Sequence, residues 1–325
     1  MKILVCPLNW GLGHATRCIP LIKKLIAEQH EVVIAADGHP LQLLKEVFPN
    51  LRFIQSTSYN IRYNKGKSQV TAMFRSLLKI IYGIIREHHW LHQLNIQEHF
   101  DQVISDNRFG LWNKNIYSVY MTHQLMIKMP FLLKFAEPIV WLGHRFFINR
   151  YNKCFVPDYP GEENLSGDLS HRYPLPKHVQ FIGPLSRFTD MNIDTSITES
   201  YDTVVLISGP EPQRTLFEEQ MIQTFRSNKA KVLIVQGLPG NKKSELSQAN
   251  ITLVPHISTE LMGAHLKGAK NIICRSGYST IMDLVALNCL HKAILIPTPG
   301  QTEQEYLAKY LHKKTAGNLP AACVN

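Results

Sequence analysis

Residues 274–283 read Cys-Arg-Ser-Gly-Tyr-Ser-Thr-Ile-Met-Asp, and residues 297–305 read Pro-Thr-Pro-Gly-Gln-Thr-Glu-Gln-Glu. Apolar residues lead into both stretches, at 271–274 and 293–296. The small residues after the first strand predict a turn that opens a helix, and the second strand is predicted to end in a Pro/Gly loop rich in amides and carboxylates. The start of such a helix attracts a diphosphate, because its backbone N–H groups lack partners and its dipole favours negative charge. We therefore predict a nucleotide-sugar site where these two strands end.

Polar side chains in the two stretches match the parts of a nucleotide sugar. Arg275 supplies a permanent cation for the diphosphate, and Asp283 supplies a carboxylate that accepts hydrogen bonds from ribose hydroxyls. Gln304 and Glu305 offer amide and carboxylate groups that suit hexose hydroxyls. The alternative is a buried Ser/Gly turn in an ordinary α/β domain. The predicted donor-binding residues in this region are Arg275, Ser276, Gly277, Ser279, Thr280, Asp283, Gln304 and Glu305.

This part of the chain resembles the donor half of the family 28 glycosyltransferases, the MurG and monogalactosyldiacylglycerol synthase group, over most of residues 200–312. In that family a Cys-Arg-Ser-Gly segment, an acidic residue on the next helix and a loop with paired amides hold UDP and its sugar. The resemblance implies an α/β protein with a GT-B fold, in which two Rossmann-like parallel-sheet domains face each other across a cleft. Asp283 is shorter than the Glu usual in the family, and Glu305 replaces the second Gln, so the donor sugar is left open.

Composition narrows the class of protein. The 325 residues predict two domains, and 45% apolar residues with 18% charged residues are typical of a globular protein. Six cysteines without a Cys-x-x-Cys pair favour reduced thiols, and Asn9-Trp10-Gly11 ends the first apolar run too early for a signal peptide, so we expect a cytoplasmic location. The net charge of +10 predicts an anionic partner, and no nucleic-acid motif accompanies it.

Strands and helices are predicted to alternate along the whole chain, which favours parallel sheets covered on both faces. The first strand is predicted at Lys2–Pro7, and the last strand of the first domain at Val179–Ile182. We predict an N-terminal acceptor-binding domain over residues 1–187, a polar linker over 188–200 and a C-terminal nucleotide-sugar domain over 201–325.

A second parallel sheet is predicted for the C-terminal domain. Its predicted strands are Thr203–Ser208, Lys231–Val235, Ile251–Val254, Asn271–Cys274 and Ala293–Ile296. Only seven residues follow Asn318, whereas GT-B enzymes usually finish with a helix that crosses back to the first domain. We therefore expect a short or trimmed C-terminus without that helix.

A glycine loop follows the first strand, with Gly11, Gly13 and His14 ahead of a helix predicted at Ala15–Glu28. Glycines let a substrate approach the backbone closely, and a histidine there suits a general base for an acceptor hydroxyl. The loop resembles the acceptor-side loop of family 28 enzymes. Two alternatives stay open. One is a dinucleotide fingerprint in which Asp37 binds a ribose, although the third Gly is missing, and the other is a structural turn with a satisfied histidine.

Further polar residues follow strands of both predicted sheets, where ligands bind in open α/β sheets. Asp106 and His123 are predicted to converge with His14 as catalytic residues, with Asp106 orienting the imidazole. The further donor-binding candidates are Ser208, Gly209 and Arg214. A strand-end cap, a surface histidine and a helix start with proline in its first turn are the structural alternatives for these residues.

Several motifs are absent from the sequence. It has no Asp-x-Asp motif and no His/Cys cluster with metal spacing, so no metal is predicted. Retaining GT-B enzymes typically carry two Glu eight positions apart around the phosphate helix, and here those positions hold Arg275 and Asp283. Glu211 and Glu219 have that spacing but lie on another predicted helix. These patterns favour inversion, with a UDP-sugar as co-substrate and no other cofactor.

Two stretches, 73–86 and 127–151, mix apolar, aromatic and basic residues. Such a mixture is typical of a helix lying on anionic lipid, and a core helix explains it equally well. The sequence therefore predicts an inverting glycosyltransferase that takes a UDP-sugar and a lipid-linked or polysaccharide acceptor. We expect it at the inner face of the plasma membrane, without a nucleic-acid partner. A nucleotide-sugar-binding subunit that needs a partner chain and a nucleotide-sugar epimerase are the alternatives.

Overall fold

The computed structural model describes residues 1–56, 69–196, 199–240, 246–248 and 250–315. At 69–78, 246–248 and 315 it describes the backbone alone. The chain divides into two compact units. The first comprises Met1–Trp10 and Cys18–Pro184, and the second comprises Gly11–Arg17 and Leu185–Asn325.

The first unit contains a seven-stranded parallel sheet with the strand order β3-β2-β1-β4-β5-β6-β7. Its strands are β1 Lys2–Pro7, β2 Glu31–Ala36, β3 Arg52–Gln55, β4 Gln102–Asp106, β5 Tyr117–Met121, β6 Lys153–Val156 and β7 Val179–Phe181. The helices between them are α1 Leu12–Ala27, α2 Gly38–Val47, α3 Gln69–Glu98, the 3-10 helix Phe131–Ala136, α4 Glu137–Ile148 and α5 Asp168–His171. The continuous burial of β1 and β2 explains their unbroken apolar sequence, since a parallel strand is covered on both faces.

The second unit contains a six-stranded sheet with the order β10-β11-β9-β8-β12-β13. Its strands are β8 Thr203–Leu206, β9 Val232–Val235, β10 Leu246–Gln248, β11 Ile251–Val254, β12 Asn271–Arg275 and β13 Ala293–Ile296. Its helices are α6 Gln213–Phe225, α7 Thr259–Gly268, α8 Tyr278–Ala286, the 3-10 helix Leu290–Lys292 and α9 Thr302–Thr315. Five strands are parallel, which confirms the predicted class of two Rossmann-like α/β parallel-sheet domains.

The edge strand β10 departs from the predicted all-parallel sheet, because it runs antiparallel to β11. Only two residues separate the two strands, and so short a connection cannot make the crossover that parallel strands require. Two strands, β3 and β6, were not predicted from the sequence. Each has only four residues, and β3 is a partly exposed edge strand with polar residues at both ends.

The register of the second sheet fixes where its loops emerge. Cys274 of β12 lies opposite Leu206 of β8 and Leu295 of β13, and Arg275 lies opposite Ile296. The three strands therefore end at the same edge of the sheet. The loops that lead into α6, α8 and α9 follow them there, at the position where open α/β sheets bind ligands.

Three predictions fall wholly or partly on residues outside those that the structure describes. The expected C-terminal truncation concerns residues 316–325, beyond α9. The predicted linker includes residues 197–198, and the basic and aromatic stretch at 73–86 has described side chains only from residue 79 onward.

Candidate functional site

Helix α8 begins directly after Gly277, a residue that has no side chain to cap its first turn. The preceding residue, Ser276, is buried, and its hydroxyl donates to the backbone carbonyl of Gln304 at 2.8 Å. This bond ties the start of α8 to the start of α9. Ser279 and Thr280 are half-buried in the first turn of α8. The predicted phosphate-binding segment is therefore a helix N-terminus of the kind that accepts an anion.

Arg275 is a buried cation at the end of β12, and only 4% of its surface is exposed. Its guanidinium carbon lies 3.9 Å from the centroid of the Phe217 ring, and Nη1 donates to the carbonyl of Pro297 at 2.9 Å. Its Nε is buried without a hydrogen-bond partner, and no carboxylate of the described residues pairs with it. Burial lowers the pKa of Arg275 to about 10, so the side chain remains charged at neutral pH.

Gln304 and Glu305 hold the loop between β13 and α9. The Gln304 side-chain oxygen accepts from the backbone N–H of Thr298 at 2.9 Å, and a Glu305 carboxylate oxygen accepts from the backbone N–H of Gly300 at 3.1 Å. Within the described part of the chain, the amide nitrogen of Gln304 and the second carboxylate oxygen of Glu305 have no hydrogen bond. Each side chain thus fixes the loop with one atom and has another polar atom without an internal hydrogen bond among the described residues. The sugar contacts of both residues remain a prediction.

Thr298 lies inside the stretch 297–305 but was not among the predicted site residues. Its side chain is buried, and its hydroxyl has no hydrogen-bond partner in the structure as described. The two prolines that flank it, Pro297 and Pro299, were a usable signal, because they fix the loop at this position. Thr298 and Arg275 thus place two unsatisfied buried polar atoms in the same unit.

Asp283 occupies a different environment from the one predicted. Its carboxylate accepts from the Ser186 hydroxyl at 2.6 Å and lies 3.4 Å from Nε of Arg187. Burial raises the pKa of Asp283, while Arg187 and Ser186 oppose that rise. The carboxylate thus anchors the segment that follows Pro184. The ribose contact remains a prediction, and it must compete with these internal partners.

The loop from β8 to α6 also departs from the prediction. Arg214 donates to the carboxylates of Glu211 and Glu218 at 2.7 and 2.9 Å. It also donates to the carbonyl of Gln236 and the hydroxyl of Thr215. These internal partners occupy the guanidinium. The donor contact predicted for Arg214 remains a prediction, and it must compete with them. Pro210 and Pro212 precede α6 and so do not lie in its first turn.

Ser208 and Gly209 keep an open position at the end of β8. Both are half-buried, and Gly209 has a φ of +109°. An added Cβ at Gly209 would meet no atom of the described residues within 4 Å. The donor-phosphate contact predicted for this pair remains a prediction.

The glycine loop is part of the second unit, as is the start of α8. A Cβ at Gly13 would lie 3.0 Å from the Ser279 hydroxyl, so a larger residue would press on the first turn of α8. Gly11 has a φ of +94°, which favours glycine. The helix begins at Leu12, three residues earlier than predicted.

His14 is half-buried, and its Nδ1 lies 2.9 Å from Nη2 of Arg17. An arginine N–H only donates, so Nδ1 accepts, and the neutral ring then carries its proton on Nε2. A general base acting through Nε2 needs the opposite tautomer. Arg17 is buried and was not selected from the sequence, although its spacing of three residues from His14 on a helix was a usable signal.

Asp106 and His123 lie in the first unit, and both are buried. Asp106 ends β4, where the Cys18 thiol lies 3.8 Å from its carboxylate. His123 follows β5, and its backbone carbonyl accepts from the Ser170 hydroxyl. The surface position considered for His123 is therefore wrong. Their predicted convergence with His14 remains a prediction.

The described residues contain no group of three or more His, Cys, Asp or Glu that is placed to hold a metal ion. Likewise, none of their helices combines the length and the apolar character needed to cross a membrane.

Residues 205–322, which lie in the second unit, match the glycosyltransferase family 28 C-terminal domain. An uncharacterized glycosyltransferase of Methanosarcina acetivorans is 23% identical over 339 residues, which cover 96% of this chain and 81% of the relative. The chain is a glycosyltransferase, and its second unit resembles family 28. The predicted family resemblance is thereby confirmed.

Solved structures confirm the GT-B fold of this glycosyltransferase. The spinosyn rhamnosyltransferase SpnG superposes with a TM-score of 0.62 at 14% identity, covering 96% of this chain and 84% of that one. A protein from Listeria monocytogenes assigned as a UDP-N-acetylglucosamine 2-epimerase superposes with a TM-score of 0.55 at 13% identity, covering 98% and 91%. At these identities the likeness concerns the fold alone, and the fold is common to transfer and epimerisation.

Proposed function

We propose that this glycosyltransferase is an inverting enzyme that needs no metal ion. In this proposal it moves a hexose or an N-acetylhexosamine from a UDP-sugar to a lipid-linked or glycan acceptor. The acceptor is presented at the cytoplasmic face of the membrane. The observation that carries the donor part of the proposal is the buried, carboxylate-free Arg275 beside the uncapped start of α8.

The charge distribution around Arg275 and the start of α8 favours binding of an anion. Burying a charge without a counter-charge is unfavourable by several kcal/mol. A diphosphate bound at α8 would supply the missing negative charge, and its oxygens would accept from the first-turn N–H groups. In the same unit, Gln304 and Glu305 keep one polar atom each for the hydroxyls of the sugar.

The proposed reaction is a single in-line displacement. The acceptor oxygen forms a bond to the anomeric carbon while the bond from that carbon to the phosphate oxygen breaks, and UDP leaves with the bonding electrons. Arg275 and the start of α8 stabilise the negative charge that develops on the leaving oxygen. The acceptor proton passes to His14. Because the displacement occurs in one step without a covalent intermediate, the configuration at the anomeric carbon is inverted.

His14 can take this proton only if its contact with Arg17 changes. In the present geometry the hydrogen bond from Arg17 directs the ring proton to Nε2. The proposed base therefore requires this bond to break when both substrates are bound. Asp106 and His123, the other two candidates, are more deeply buried than His14.

The function is tested by incubating the enzyme with UDP-, GDP- and dTDP-sugars and measuring nucleotide release and sugar transfer. We expect UDP release that depends on an added lipid or glycan acceptor and survives chelation by EDTA, with inversion at the anomeric carbon. UDP binding without transfer would identify a nucleotide-sugar-binding subunit. Loss of all activity in EDTA would contradict the metal-independent mechanism.

The epimerase alternative is favoured by one observation, the likeness in fold to the protein from Listeria monocytogenes. An epimerase needs no acceptor, because it returns a free sugar or a sugar nucleotide of changed configuration. Formation of an epimer from UDP-N-acetylglucosamine without an acceptor would therefore select this alternative over transfer.

A further inference from the structure

Two consecutive helices of the first unit expose a continuous set of large apolar side chains, which we call the 131–146 surface. The exposed fractions of these residues run from 56% to 81%. The surface comprises Phe131, Leu132, Phe135, Ile139, Leu142 and Phe146. Single exposed apolar residues are normal on a globular protein, but six within sixteen residues form a patch that indicates a binding surface.

The helical periodicity of α4 explains why this face is exposed. Glu137, His144 and Ile148 lie on the buried side of the helix. Ile139, Leu142 and Phe146 follow the spacing i, i+3, i+7 and so share the opposite side. Every exposed residue from 138 to 144 is apolar or glycine, whereas a solvent-facing helix normally presents charges there.

Three cations surround these apolar residues. Lys134 lies over the Phe131 ring, Arg145 over the Trp141 ring and Arg150 over the Phe146 ring, at 5.5, 5.4 and 4.4 Å. Long basic side chains of this kind pack their stems on apolar surface and direct their charge to its border.

The neighbouring carboxylates are neutralised within the unit. Glu137 is buried and lies 3.3 Å from Arg172, and its other oxygen accepts from the backbone N–H of Met129. Asp168 pairs with Lys128 at 2.7 Å. The border of the 131–146 surface is therefore positively charged.

We propose that the 131–146 surface docks on an anionic lipid bilayer. The apolar side chains enter the boundary between headgroups and acyl chains, and the basic border binds the lipid phosphates. The bilayer is the partner that the proposed function requires for a membrane-bound acceptor, and the role of the docking surface in catalysis rests on that proposed function. A second copy of the chain is a poorer occupant, because a symmetric contact would bring the two basic borders together.

Vesicle sedimentation with the full chain tests the proposal, using phosphatidylcholine with or without phosphatidylglycerol. Wild type should bind the anionic vesicles, and Leu132→Ser/Phe135→Ser should lower the partition coefficient at least tenfold. Lys134→Gln and Arg145→Gln should each lower it about fivefold, and only for anionic vesicles. The matched controls are Leu216→Ser/Leu261→Ser and Lys23→Gln/Lys24→Gln, which change exposed apolar and basic residues elsewhere and should bind as wild type does.

Three results would overturn the docking surface: no binding by wild type, equal losses in the controls, or a dimer in solution that Leu132→Ser/Phe135→Ser dissociates. UDP-induced thermal stabilisation, measured on every variant, reports whether the donor site and the fold persist. Failed vesicle binding with intact UDP binding removes this inference alone. Vesicle binding without any sugar transfer removes the proposed function and leaves the docking surface in place.

Discussion

Two arginines lie next to the loops that follow neighbouring strands of the second sheet, yet their surroundings are opposite. Arg214, after β8, is held by two carboxylates, whereas Arg275, at the end of β12, has an aromatic face and one carbonyl. A pattern of strand, small residues and arginine predicts both positions equally well. The difference teaches that a position near a strand end is not enough to identify a ligand-binding arginine. Whether the arginine already has partners within the protein is the more informative observation.

Arg17 extends the comparison, because it contacts a candidate base, His14. We expect His14→Ala to lower turnover by ~10²–10⁴-fold, the usual contribution of a positioned proton acceptor, and to leave UDP affinity nearly unchanged. Turnover, UDP affinity and melting temperature measured on the same variant check this.

The Arg17→Met variant is the matched control for His14. It removes the bond to Nδ1, so turnover should stay within about tenfold of wild type if that bond must break during the reaction. If Arg17→Met loses as much activity as His14→Ala, the pair acts as a unit and the base assignment is wrong. A raised acceptor KM with a normal rate would instead make His14 a positioning residue.

The two arginines should also differ in what they do for stability. Arg275→Met removes a buried charge without a counter-charge and keeps an apolar contact on Phe217, so we expect the free energy of unfolding to rise by about 1–2 kcal/mol. Arg214→Met breaks two ion pairs and should lower it by up to about 1 kcal/mol. Denaturant titration without nucleotide measures both, and a loss in Arg275→Met would show that this cation is structural.

Burial lowers the pKa of both Arg275 and His144, but only Arg275 stays charged at neutral pH. His144 is packed against Phe109 and Tyr120, its Nδ1 lies 3.2 Å from the carbonyl of Leu125, and burial lowers its pKa to about 4 from the ordinary value of 6.5. Its folded pKa lies below its unfolded pKa, so its contribution to stability is complete above pH 6.5. That contribution is lost as the pH falls towards 4.

This pH dependence has a defined size. Between pH 6.5 and 4 the His144 contribution should fall by about 1.4 kcal/mol per pH unit. His144→Gln should flatten the slope of unfolding free energy against pH by that amount. An unchanged slope would show that the ring takes up its proton in the folded state.

The smallest effect concerns the sugar rather than the diphosphate. Gln304→Glu keeps the oxygen that accepts from Thr298 and removes the donor nitrogen that has no internal partner. We expect a loss of ~0.5–1.5 kcal/mol in UDP-sugar affinity, the range for one hydrogen bond, with UDP affinity unchanged. Equal losses for UDP and UDP-sugar would show that Gln304 serves only the loop.

The sequence predicted the second sheet well because buried parallel strands have unbroken apolar runs. Asn271–Arg275 and Ala293–Ile296 were found within one residue for this reason. Strand β10 was not predicted, because it is a short polar edge strand that pairs with its sequence neighbour β11.

The hydrogen-bond and ion-pair partners of these side chains could not be predicted from the sequence, because they depend on long-range packing. Ser186 reaches Asp283 across 97 positions of the chain. Likewise, two carboxylates near in sequence to Arg214 occupy it, but only the folded loop shows that Arg275 lacks an equivalent. Residue type was predictable at these positions, and availability to a ligand was not.

Calorimetric titration of UDP and of uridine into wild type, Arg275→Met and Arg214→Met tests most directly whether Arg275 binds the diphosphate. Arg275→Met should weaken UDP binding by about 1.5–3 kcal/mol, the range for a charged hydrogen-bond partner, and leave uridine binding unchanged. Arg214→Met should bind both ligands as wild type does. Unchanged UDP affinity in Arg275→Met, or an equal loss for UDP and uridine, would contradict the assignment.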